Sequence, residues 1–96
     1  MPQYSTLEPV NELISELNAT ALQFLLIDLD LGMTFMDVAK ASRIEQTIHR
    51  SHENARRALD TVLHLSQKLN LDEEERRTID VKLTLLKARL EATESE

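Results

Sequence analysis

Asp28 is the carboxylate that this sequence places in the most apolar company. On a helical wheel it falls beside Ala21, Phe24, Leu31, Gly32 and Phe35, so a continuous helix carries it toward the interior. A buried carboxylate needs a partner or takes up a proton. If the chain folds back at Ser42, Arg56 comes to face Asp28 and His52 comes to face Gly32, and a pair between Asp28 and Arg56 or His52 is expected. Gly32, one turn beyond the acid, costs roughly 1 kcal/mol against Ala in a helix interior, which points to a close backbone approach or a small space. Asp28, Gly32, His52 and Arg56 therefore form a candidate buried polar site. Its chemistry would be proton handling, or binding of a small ligand or metal through Asp28 and His52. The competing reading is a structural ion pair, a cap at a helix break or a rim residue.

Two further clusters have the spacing of metal ligands, His49-x-x-His52-Glu53 and Asp60-x-x-x-His64. His49 and His52 point about 60° apart at 100° per residue, however, and the two-histidine-plus-glutamate zinc signature is missing. No Glu-x-x-His pair stands on two helices as di-iron bundles require. These side chains read as a solvated face with charge pairs, and no metal site or cofactor is expected. Cysteine is absent, which excludes disulfides, thiolate ligands and a cysteine nucleophile. The serines lie at helix ends or on polar faces, and a single Gly leaves no oxyanion elbow or phosphate loop, so catalysis is not expected.

The elements that must position these residues are helices. Both prolines lie in the first nine residues, and the apolar residues recur at helical spacing. Thr6 is expected to cap a first helix over residues 7–18, with Pro9 in its opening turn and Leu7, Val10, Ile14 and Leu17 in one stripe. Asn18-Ala19-Thr20 offers a break before a second helix over 20–41, although the stripe stays in phase and the two could merge into one long helix. Ser42-x-x-Glu45 has the form of a capping box and opens a third helix, 43–70, with Ile44, Ile48, Ala55, Ala58, Leu59, Val62, Leu65 and Leu69 on one side. Asp72-x-x-Glu75 caps a fourth, 73–92, whose core stripe is Ile79, Leu83, Leu86 and Leu90. The expected fold is all-α, an up-and-down bundle of three to four helices in one domain, with flexible ends at 1–5 and 93–96. The second helix, polar only along Gln23, Asp30, Thr34 and Asp37, reads as its buried centre.

Leu31-Gly32-x-x-Phe35-x-x-x-Ala39, followed by Ala55-x-x-x-Leu59-x-x-Val62, resembles the packing pattern of one tetratricopeptide repeat. The resemblance covers a single hairpin and implies a helical pair of the kind that serves peptide or protein binding. Asp28 stands where that family opens its first helix with an aromatic residue, the second half of the pattern arrives later than in the family, and no array follows.

A formal charge of −6 argues against nucleic acid or an anionic membrane as partner. The dense apolar stretch Leu22 to Val38 is interrupted by Asp28, Asp30 and Asp37, which argues against a membrane span, and no signal-peptide pattern opens the chain, so a cytoplasmic location is expected. The fourth helix carries a second apolar line, Val81, Leu85, Ala88 and Ala92, opposite its core stripe. Either the first helix returns to cover that line, or it is an interface for a protein partner or a second copy. The expected role is a helical interaction or adaptor module that binds a protein partner or itself as a homodimer; a ligand- or metal-binding bundle using Asp28 and His52 is the alternative.

Overall fold

The computed structural model describes residues 3–94, with side chains from residue 12 to residue 93. The chain is an all-α bundle of three helices: α1 (Gln3–Ala41), α2 (Glu45–Ser66) and α3 (Glu73–Glu94). Helix α2 runs antiparallel to α1, which brings Ala58 against Gly32. Helix α3 returns parallel to α1, joined to it by ion pairs between Asp30 and Lys82 and between Asp37 and Arg89, both 2.9 Å. The core draws on all three: Leu25, Leu29 and Met36 from α1; Ala55, Leu59 and Val62 from α2; Ile79, Leu83, Leu86 and Leu90 from α3. The α3 residues are the stripe expected from sequence, because their spacing holds one direction at 3.6 residues per turn.

The first two expected helices are one. Nothing in Asn18-Ala19-Thr20 forces a break, since neither Gly nor Pro is present and the helix passes through without interruption. Thr6 lies inside α1 rather than capping it; the side chains of Leu7 and Val10 lie outside the described residues, as do residues 1, 2, 95 and 96. The remaining residues expected as flexible ends belong to helices, and the Thr93 hydroxyl donates to the Arg89 carbonyl at 2.8 Å.

Helix α2 is shorter than the expected 43–70. Its Ser42–Glu45 capping box does not form: the Ser42 hydroxyl accepts from the Ile44 N–H at 3.1 Å, which holds an extended turn and makes Ile44 the cap residue. Ile44, expected in the core, is therefore 64% exposed. At the other end, the Lys68 N–H bonds the Leu65 carbonyl in a tightened last turn, and a short connection leads to Asp72. There the second capping box does close. The Glu75 N–H donates to the Asp72 carboxylate at 2.8 Å, and the Asp72 N–H donates to the Glu75 carboxylate at 3.0 Å.

Gly32 sits where side chains of α2 and α3 both come against α1. A Cβ added there would stand 2.7 Å from Leu86 Cδ2 and 3.4 Å from the Ala58 Cβ. The space a side chain would take is thus filled by Leu86, which is fully buried. This accounts for a residue that local helix propensity opposes. Gly32→Ala is expected to lose about 1 kcal/mol in urea denaturation, because overpacking at roughly 1–3 kcal/mol exceeds the gain in propensity of roughly 1 kcal/mol. Combined with Leu86→Ala it should cost less than the sum of the single changes; additive losses would show that the two sites do not share this space. Asp72→Ala should cost about 1 kcal/mol through loss of the cap.

Candidate interaction surface

The structure separates the residues that the sequence suggested as one polar site. Asp28 and Gly32 lie a turn apart on α1, but the opposed residues of α2 are Asn54, Arg57, Ala58 and Thr61. His52 and Arg56 line the other side of α2, beside Leu90 and Thr93 of α3. The register of α1 against α2 is shifted by about a turn and a half from a fold-back centred on Ser42, because the extended turn through Ile44 adds length before α2 begins. Asp28 therefore has neither Arg56 nor His52 within reach, and the two sets cannot act on one ligand. Among the described residues Asp28 makes no hydrogen bond or ion pair. It is half-buried between Phe24 and Phe35 in an open groove, and burial pushes its carboxyl above the ordinary range.

The remaining candidate ligands are dispersed. His49 pairs with Glu53 at 3.0 Å on an exposed face, and among the described residues no three His, Asp or Glu side chains gather as metal ligands. Of the narrow polar stripe of α1, Gln23, Asp30 and Asp37 are spaced by seven residues and share one edge of the helix, whereas Thr34 lies toward the exposed apolar face. Asp30 and Asp37 are engaged there by α3. Arg89 ties its guanidinium to Asp37 and also donates to the Met33 carbonyl at 3.4 Å.

What the fold leaves open is apolar. Opposite the core face of α1 runs the line Leu13, Leu17, Thr20, Phe24, Ile27, Leu31, Thr34 and Val38, separated by alternating steps of four and three residues. Every member is exposed; Leu13, Leu17, Phe24 and Ile27 are 55%, 60%, 52% and 66% accessible. A step pattern averaging 3.5 residues is that of a helix–helix seam. Thr34 already gives its hydroxyl to the Asp30 carbonyl at 3.0 Å, leaving its methyl group for contact. This helix is not the buried centre expected from its near-continuous apolar surface, because the only other described helices, α2 and α3, leave this line of it exposed. The buried residues Leu25, Leu29, Gly32, Met36 and Ala39, with the partly buried Leu22, recur with the same alternating steps, so spacing alone did not tell this seam from the core stripe.

The second apolar line expected on α3 is also open. Val81 and Leu85 are 56% and 53% exposed, and Ala88 and Ala92 are exposed with them. Helix α1 does not return across them, since it is a single helix on the opposite face of α3. The surface around Val81 and Leu85 is lined by α3 alone, with Arg76, Arg77 and Asp80 at its margin. By length and composition, Glu12–Ala41 of α1 is also apolar enough to cross a bilayer, with a mean hydropathy of 1.3 in its most apolar window. Its inner face is packed on α2 and α3 and its edge carries the two ion pairs to α3.

No known family matches the chain, and no curated protein or solved structure matches it.

Asp28 supplies a pH test of this surface. A carboxyl whose proton is held more tightly in the fold than in the unfolded chain lowers stability as pH rises from the ordinary value of 3.8 through the raised one, after which the penalty stays constant. Asp28→Asn is expected to melt higher than the parent at neutral pH, with the difference vanishing below the ordinary carboxylate range. Equal melting temperatures at every pH would contradict a desolvated carboxyl at this position.

Proposed function

We propose that this chain is a helical interaction module that docks a partner helix along the outer face of α1. The observation that carries this reading is the unbroken exposed seam from Leu13 to Val38, which no described element of the chain covers. Isolated exposed apolar residues are ordinary on protein surfaces, but a contiguous line on one face of one helix is the form that interfaces take. The line on α3 through Val81 and Leu85 is shorter, and its larger residues give way to Ala88 and Ala92. The sequence resemblance of Leu31-Gly32-x-x-Phe35-x-x-x-Ala39 to part of one tetratricopeptide repeat implies the same kind of role, since such hairpins serve peptide or protein binding.

The seam and the α3 line separate experimentally. Phe24→Glu with Leu31→Glu should change the chain's own stability by no more than about 0.5 kcal/mol, because neither side chain fills the core. The same variant should lose proteins that the parent retains from an extract of the cells that make it. Val81→Glu with Leu85→Glu should retain them. Loss with the α3 variant only, or no difference among the three chains, would refute docking at α1.

A further inference from the structure

We infer that the occupant of the α1 seam is a second copy of this chain, lying antiparallel about a two-fold axis that passes between Leu25 and Leu26. The inference rests on the docking role of α1 and names the partner for it.

The spacing of the seam supports this first. Its steps of four, three, four, three, four, three and four residues read the same in both directions, so the pattern is unchanged by a two-fold rotation about its midpoint. An isologous interface requires that the same patch be complementary to itself. Under this operation Leu13 meets the partner's Val38, Leu17 meets the partner's Thr34, Thr20 meets the partner's Leu31, and Phe24 meets the partner's Ile27. Each small Thr then faces a Leu, and the Phe faces a smaller residue, which keeps the layers even in volume. A parallel pair in register would instead set Thr20 and Thr34 against their own copies and Phe24 against Phe24, with gaps and crowding in alternate layers. None of the eight seam positions is charged, so the chain's net charge of −6 does not enter the contact itself.

The surface area supports it independently. The chain exposes 7257 Å² at a mass of 11.0 kDa. A compact monomer of that mass exposes roughly 5600 Å². The excess of about 1600 Å² is larger than the roughly 800 Å² that each partner contributes to a standard interface. The residues of α1 before about Thr20 extend past α2 and α3, with Leu13, Ile14 and Leu17 exposed. The core stripe gives way there to Asn18 and Ser15, while the seam stays apolar to Leu13. In the antiparallel pair this projecting stretch lies along the part of the partner's α1 that is backed by α2 and α3.

Sedimentation equilibrium of the full chain across the micromolar range is expected to give twice the monomer mass, and Leu31→Glu should raise the dissociation constant roughly a hundredfold. Because the chain has no cysteine, introduced thiols report the geometry. Leu17→Cys with Thr34→Cys should form a disulfide-linked dimer on mild oxidation, since the two positions are about 25 Å apart within one helix and cannot close on themselves. Leu17→Cys alone should form no such dimer. A dimer linked by Leu17→Cys alone would overturn the antiparallel arrangement. A monomer at every concentration, with proteins still retained from extract in a seam-dependent way, would overturn self-association and leave α1 docking intact. A monomer that instead floats with phosphatidylcholine vesicles, and loses them on Leu31→Glu, would overturn both.

Discussion

A helix flanked by two others is covered over only part of its circumference, and α1 has only two. Both lie on one side of it, and each has 22 residues against its 39. At 1.5 Å per residue α1 reaches about 58 Å and its neighbours about 33 Å, so it is left open along one face and around its first turns. The long dimension of the molecule, 67 Å against 22 and 16 Å across, follows directly. So does a radius of gyration of 17.6 Å, where a compact chain of this length would have about 12.5 Å. The exposed apolar line on α1 is the chemical counterpart of that geometry.

Two kinds of contact fix how the helices meet on the covered side. At the centre the absence of a side chain at Gly32 admits Leu86, which sets the depth of α3 against the α1–α2 hairpin. At the edge Asp30 meets Lys82 and Asp37 meets Arg89, each pair seven residues from the other on both helices, so the sliding position of α3 is fixed at two points. The side chains of Lys82 and Arg89 are each at least 30% exposed, so these bridges add little to stability; a misplaced register would, however, leave their charges against apolar surface. Two members of the polar stripe of α1, Asp30 and Asp37, thus tie its edge to α3, while one apolar face of the helix meets the core and a second faces outward.

Asp28 lies on the boundary between the two regions. It is set on the α2 side of the exposed seam, flanked by Phe24 and Phe35, where it has lost part of its hydration without gaining a partner among the described residues. A carboxylate so placed is tolerated because the groove is open to water on one side. The width of α2 separates Asp28 from His52 and Arg56, so these side chains do not converge on one site.

The sequence alone determined the helical class, the α3 core stripe, the Asp72–Glu75 cap and the two faces of α3, because each depends on periodicity or on contacts within four residues. It also carried the anomaly of Asp28 and Gly32, since local propensity and burial pattern oppose them there. It could not decide what lay opposite them. The α1–α2 register depended on how the Ser42 hydroxyl bonded the turn, and a competing capping box was equally available from the residue types. Nor could it distinguish an apolar face that meets the core from one that meets solvent, since both are written in the same side chains. Only the tertiary structure, by placing α2 and α3 on one side of α1, decided which apolar face was left exposed.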